Sequence, residues 1–185
     1  MVWRSNIYRV GGNELTTNEQ LVIKAIAGNE AAFIELMKMY KIDLYKTGLS
    51  FFKNEEEALE AIQEVTYRAY KSIRKIKEPA YFKTWLMRIM INYCQDQLKK
   101  KKREVLNEDY IQAQGVSESH SALEIEDVLQ SLDSRSRELL TLKYLHGLKI
   151  KEIAYAMDCP EGTIKTWLHK ALQEMRSKFS EEGEN

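Results

Sequence analysis

Proline and glycine are scarce, with two and eight copies in 185 residues. Few chain-breakers and few alternating β-branched runs argue against a sheet-rich fold and leave an all-α one. Cysteine is equally rare. Cys94 and Cys159 lie far apart, without the CxxC or Cys/His spacing of a zinc site, and read as reduced thiols of a cytosolic protein. No stretch approaches the roughly eighteen uninterrupted apolar residues of a transmembrane helix, so no membrane insertion is expected. The opening residues 1–6 lack the apolar core of a secretory signal. Gly-rich phosphate loops and the HExxH pattern are missing as well, so nothing here calls for a catalytic centre, a metal or a cofactor.

Net charge is absent too, because 28 basic residues balance 28 acidic ones. The charges are nevertheless segregated. Residues 68–103 hold twelve Lys or Arg against Glu78 and Asp96, whereas residues 104–140 hold nine acids against Arg135 and Arg137. A basic block can track phosphates and release counterions, which an acidic segment cannot do. A solvated helix face is the competing reading for residues 99–103 alone.

What is present is most telling near the C-terminus. Ile150, Ile153, Ala154 and Met157 recur at three- and four-residue spacing, the buried face of a short helix. Asp158 and Cys159 supply a turn, and Pro160 suits the first position of a new helix, where no backbone donor is needed. Ile164, Leu168, Leu172, Met175 and Phe179 form the next apolar stripe. Lys165, Thr166, His169 and Lys170 occupy the opposite face, early in that helix. A helix-turn-helix presents such positions to base edges in the major groove.

Upstream, the spacing predicts a helix capped by Thr17 or Asn18 that turns Leu21, Val22, Ala25 and Ile26 inward. A second runs from Glu30 past Phe33, Leu36, Met37, Tyr40 and Leu44 to Leu49, before a break over 51–54. A third spans about 55–73. A loop over 75–80 follows, because the residue before Pro79 is pushed out of the helical region. A strongly periodic helix runs over 82–103. Residues 104–121 are polar and aperiodic and read as a linker. A short helix carrying Leu123, Val128, Leu129 and Leu132 comes next. Asp133 then caps a helix whose Leu139, Leu140, Leu142 and Leu145 face a core, closed by Gly147.

Three of these pieces, in this order, resemble the bacterial extracytoplasmic-function sigma factors, the minimal two-domain class of the sigma-70 family. The segment Leu148-Lys149-Ile150-Lys151-Glu152-Ile153-Ala154 with Glu161-Gly162-Thr163-Ile164-Lys165-Thr166 resembles the signature of the family's fourth domain. Ala58, Glu60, Gln63-Glu64 and Arg68-Ala69-Tyr70 resemble its polymerase-docking helix. Phe82-Lys83-Thr84-Trp85-Leu86-Met87-Arg88-Ile89, followed by Asn92, resembles the helix that faces the −10 element. The match covers about residues 18–180. It departs at Asp133, where proline is frequent, at Leu59, where an acid is common, and at Trp167 and Leu172, where arginine is frequent.

The resemblance implies two small helical domains: an extension over 1–17, a sigma2-like domain over 18–103, a linker over 104–121, a sigma4-like domain over 122–180 and an acidic tail over 181–185. It implies a cytoplasmic transcription factor of stress responses, monomeric when free. Its partners would be core RNA polymerase, double-stranded promoter DNA with its melted non-template strand, and an anti-sigma factor, often membrane-anchored. Glu60, Gln63, Glu64 and Tyr67 would contact polymerase. Lys75, Lys77, Arg88, Asn92, Gln95 and Lys99 would meet the −10 element, with the loop over 75–81 walling a pocket for an extruded base. Thr163, Lys165, Thr166, His169 and Lys170 would meet the −35 element. Trp85 reads as core rather than as an intercalating wedge. Thr163 can equally cap its helix, and His169 can be structural.

Three other classes compete, one of them a pure interaction module whose basic block is only a solvated surface. A helix-turn-helix regulator that works without polymerase docking leaves the acidic helix and the basic helix unexplained. A nuclease needs gathered carboxylates, and Asp158 with Glu161 in a turn read as caps instead.

Overall fold

The computed structural model describes residues 16–107 and 132–182. Every regular element among them is helical. α1 (Thr17–Ile26) begins one residue earlier than its sequence signals suggest, because Thr16 and Glu19 form a capping box. The Glu19 backbone N–H donates to Thr16 Oγ1 at 3.3 Å, and the Thr16 N–H donates to the Glu19 carboxylate at 2.7 Å. Asn29 caps α2 (Glu30–Phe52), accepting from the Ala32 N–H at 2.9 Å. The turn to α3 (Glu55–Ser72) uses Lys53 in the left-handed region at φ 52° and Asn54 as the next cap. Three acids, Glu55, Glu56 and Glu57, open α3 where the helix dipole favours negative charge. The expected loop over 75–80 is bounded by two single 3₁₀ turns, Ile73–Lys75 and Pro79–Tyr81.

α4 (Phe82–Asn107) runs four residues beyond the expected end at Arg103. No proline or glycine stands there to stop it, and a basic run followed by Glu104 is compatible with helix. The rest of the expected linker, the extension up to residue 15, and the helix carrying Leu123, Val128 and Leu129 lie outside the described residues.

Leu36, Leu44, Val65, Leu86, Met90 and Ile91 are fully buried where α2, α3 and α4 meet. Gly48 lets α2 and α3 approach closely. A Cβ there would meet Ala58 Cα at 3.0 Å and Met90 Cε at 2.8 Å. Burying an aliphatic side chain of this size contributes about 1.5–3 kcal/mol, so this six-residue knot is a main source of stability for the N-terminal half.

In the C-terminal half, Asp133 caps α5 (Ser134–Leu140) through bonds from the Arg135 and Ser136 N–H groups at 2.8 and 3.2 Å. Burial tends to raise the Asp133 pKa, but the Ser136 hydroxyl and these two N–H groups outweigh it and hold it below the usual range. The chain then widens into a π turn, Thr141–Leu145, with the His146 N–H reaching back to the Thr141 carbonyl at 3.1 Å. This one-residue widening changes which side chain points inward. Leu145, expected in the core, is 46% exposed, and His146 is buried in its place. Gly147 at φ 64° leads out of the turn.

α6 (Ile150–Met157) and α7 (Glu161–Glu182) form the helix-turn-helix. Asp158 takes the left-handed turn conformation at φ 52°, which an aspartate tolerates better than a bulky residue would. Pro160 stands just before α7 rather than inside it, and its carbonyl accepts the Ile164 N–H at 3.2 Å. Ile153, Ile164, Leu168 and Ala171 pack with Leu139 and Leu142. The side chain of Phe179 lies outside the described residues, and α7 itself continues into the acidic tail.

Candidate nucleic-acid and polymerase interfaces

The recognition helix α7 sorts its residues by period. Ile164 and Leu168 go inward, while Lys165, Thr166, His169 and Lys170 are exposed and Thr163 is half-buried. The Thr166 hydroxyl donates to the Gly162 carbonyl at 3.0 Å, which leaves its oxygen free to accept. Trp167 is half-buried, and the exposed Arg135 of α5 lays its guanidinium 4.4 Å from the indole ring. That stacking places a cation from a neighbouring helix beside the recognition helix. Sequence reasoning missed Arg135, since 32 positions separate it from Trp167.

The stripe on α4 divides in two. Asn92 and Lys99 are exposed. Arg88 and Gln95 instead face the C-terminal half. Arg88 Nε donates to Glu138 Oε1 at 3.0 Å, and Arg88 Nη1 donates to the Ala156 carbonyl. The Gln95 amide is 8% exposed and donates to the Ser134 carbonyl at 2.6 Å. Lys75 and Lys77 are exposed at the rim of a cleft of about 560 Å³, which Tyr81 and Trp85 line from one side and Tyr155 and Asp158 from the other. The Tyr81 and Tyr155 rings stack with centroids 4.2 Å apart. Trp85 packs partly against the core beside Phe82, at a centroid distance of 5.7 Å, and shows its remaining edge to this cleft.

Deeper between the halves, Thr47 Oγ1 lies 2.9 Å from His146 Nε2. Burial pushes the His146 pKa down to about 4, opposed by Asp43 and reinforced by Lys83. Arg137 adds a cation–π contact with Phe51 at 5.7 Å. Thr47, Glu138, His146 and Tyr155 carry no sequence signal of their own, because each acquires its role from a partner 50 or more residues away.

On the far side, α3 and α4 frame an open groove of about 450 Å³ lined by Glu60, Gln63, Glu64, Arg68, Tyr93 and Gln97. Glu64 is paired with Arg68 at 2.7 Å, one turn away. Burial, with Glu60 and Glu64 nearby, raises the Tyr93 pKa and keeps its phenol neutral. Tyr67 stands exposed with the Lys71 ammonium 4.2 Å from its ring, and Leu59 is exposed on the same helix.

Among the described residues no cluster of three His, Cys, Asp or Glu could hold a metal ion, and no helix is long and apolar enough to cross a membrane. Burial raises the Cys94 thiol pKa to about 12, which leaves it unreactive.

Residues 36–104 match the Sigma-70 region 2 family, and residues 122–175 match Sigma-70, region 4. The ECF RNA polymerase sigma factor SigM of Bacillus subtilis is 31% identical over 154 residues, covering 79% of this chain and 94% of that protein. SigV of the same organism is 27% identical over 156 residues, covering 83% and 94%. The ECF RNA polymerase sigma-E factor of Escherichia coli is 26% identical over 184 residues, covering 90% and 96%. In fold, the chain is similar to CnrH in complex with the cytosolic domain of CnrY, with TM-score 0.65 and 20% identity over 88% of this chain and 97% of that one. It is also similar to RpoE bound to the anti-sigma factor NepR from Bartonella quintana, with TM-score 0.61 and 20% identity over 80% and 96%. An acidic helix, a basic helix and a helix-turn-helix thus follow one another in the order of regions 2 and 4, and the protein belongs to the extracytoplasmic-function sigma factors of the sigma-70 family, which direct RNA polymerase to promoters and start transcription.

Proposed function

We propose a division of labour among three surfaces. Glu60, Gln63, Glu64 and Tyr67 dock on core polymerase, the carboxylates and the amide from one open groove and the exposed Tyr67 ring from elsewhere on the same helix. Thr163, Lys165, Thr166, His169 and Lys170 enter the −35 major groove. Lysine ammonium groups suit guanine acceptors, and Thr166 suits an edge or a thymine methyl. Lys75, Lys77, Arg88, Asn92, Gln95 and Lys99 meet the −10 element and its melted non-template strand, the cations on phosphate and the amides on bases.

Arg135 joins the −35 set. Arginine is frequent in the family where this chain has Trp167, and the stack on that ring holds another guanidinium nearby, with its N–H edge available to phosphate. The observation that carries this reading is the exposed face of α7, where cations and hydroxyls alternate with a buried apolar stripe.

The chain works in the cytoplasm as a monomer when free, is restrained by an anti-sigma factor, and catalyses no reaction itself. The binding of relatives of this fold to partners such as NepR supports that restraint. The test is run-off transcription with purified core polymerase on a promoter fragment library. Transcripts that depend on this chain, sharing two upstream elements, are expected. Sequence-specific DNA binding without such transcripts would make it a conventional regulator.

A further inference from the structure

Aliphatic side chains stand open on the outer surface of α2: Ile34 is 52% exposed, Met39 46% and Ile42 67%. Met39 and Ile42 share one stripe with the exposed Glu35, at four- and three-residue spacing. Leaving two such side chains in water forgoes the burial that a covering segment would recover. Neither of them lines the α3–α4 groove. The region 2 match begins only at residue 36, so the first residues of the chain lie outside what the family accounts for.

The chain's own beginning is placed to cover this patch. α1 doubles back along α2 after the short connection 27–29, and the Asn18 side chain hydrogen-bonds the Tyr40 phenol. Thr16, two residues before Asn18, therefore lies within about one or two helical turns of Met39 and Ile42. The fifteen residues before Thr16 include Val2, Trp3, Ile7, Tyr8 and Val10, with Arg4 and Arg9 as cations. Trp3, Ile7 and Val10 repeat the four- and three-residue spacing of Glu35, Met39 and Ile42. Gly11-Gly12 gives the backbone a place to reverse direction. Thirteen positions separate Trp3 from Thr16, and a coil of that length spans about 20 Å, enough to return to the patch. So short a tether also sets a local concentration on the order of millimolar, which a second copy at micromolar protein does not match.

We propose that residues 2–10 fold back on α2 as an intramolecular strap, with Trp3 and Ile7 covering Met39 and Ile42 and Arg4 facing Glu35. The contact is apolar at its centre, and the charge pair at its edge adds little on an exposed surface. The strap is independent of the promoter and polymerase surfaces assigned above.

The test is 19F NMR of the full chain labelled with 5-fluorotryptophan. Trp3→Phe identifies the Trp3 signal beside those of Trp85 and Trp167. Trp3 should resonate away from its urea-unfolded position. Ile42→Ser should return it there and leave the other two signals unmoved, whereas Ile34→Ser, eight residues away on α2, should leave it in place. In urea unfolding, Trp3→Ser and Ile42→Ser should each raise the unfolding constant about three- to tenfold, and the double variant little further. A Trp3 signal at its unfolded position in the unaltered chain overturns the strap, and so do additive effects of the two substitutions. A Trp3 shift that appears only as protein concentration rises also overturns it and assigns the patch to a second copy. An unfolded-like Trp3 signal together with weaker core polymerase binding by Ile42→Ser assigns the patch to polymerase instead.

Discussion

Acidification from about pH 7.5 to about pH 5.5 should weaken the folded chain through His146. Its imidazole is buried between the halves, facing Thr47 of α2, with Asp43 of α2 and Lys83 of α4 as the charged groups that act on it. Asp43 favours its protonation and Lys83 opposes it, and the two are themselves paired at 3.3 Å. Burial is the dominant cause that holds the folded pKa near 4, against 6.5 for an exposed histidine. Well above pH 6.5 the ring is neutral in every state, and its burial costs nothing electrostatic. As the pH falls from 6.5 towards 4, an opened or unfolded chain takes up a proton that the closed chain refuses, so the stability is progressively lost. The full gap corresponds to ~3 kcal/mol, and ~1 kcal/mol of it falls between the two chosen conditions. Urea unfolding of the wild type and of His146→Gln at both conditions isolates the term. Glutamine keeps an amide for Thr47 but does not titrate, and contributions from other groups cancel in the difference. The wild type should lose ~1 kcal/mol more than the variant on acidification. Equal losses would refute the argument. If the halves separate before the chain unfolds, scattering at the lower pH should show the expansion first.

Arg135→Ala should weaken −35 duplex binding to a similar degree on all sequences and lower the slope of log affinity against log salt by about 1, as for one lost phosphate contact. A change confined to one base pair, seen in a binding titration over single-substitution duplexes, would contradict the phosphate role. Lys165→Ala should instead cost about 1–3 kcal/mol concentrated at the base pair it reads, measured over the same duplex series. Gly48→Ala should cost about 1–3 kcal/mol in urea unfolding, because a Cβ 3.0 Å from the Ala58 backbone forces α2 and α3 apart. Glu60→Ala with Gln63→Ala should reduce run-off transcription while leaving −35 duplex binding by the free chain unchanged, as electrophoretic mobility shifts would show.

Most of the helix pattern was legible from periodicity and punctuation. The stripes Ile150-Ile153-Ala154-Met157 and Ile164-Leu168 sort inward and outward as their spacing predicts, because a helix makes burial a function of local sequence. Boundaries were less legible. Thr16 rather than Thr17 or Asn18 caps α1, a choice made by the Glu19 carboxylate reaching back. The π turn was not legible. A single extra residue in one turn exchanges Leu145 for His146, and the hydrophobicity of Leu145 gives no warning of it.

The same contrast divides the candidate sites. Lys165, Thr166, His169 and Lys170 share one face of one helix, so their common exposure is a local property. The stripe Arg88-Asn92-Gln95-Lys99 obeys the same spacing, yet only Asn92 and Lys99 are open. Sequence by itself determined most of which residues sit in helices and which faces those helices bury, because both rest on short-range spacing, while the family followed from the resemblance of its motifs. Tertiary structure decided which of the outward faces remain available. That depends on Glu138, Ser134, His146 and Tyr155 arriving from the other half of the chain, and contacts across 39 to 99 residues leave no periodic trace in the sequence.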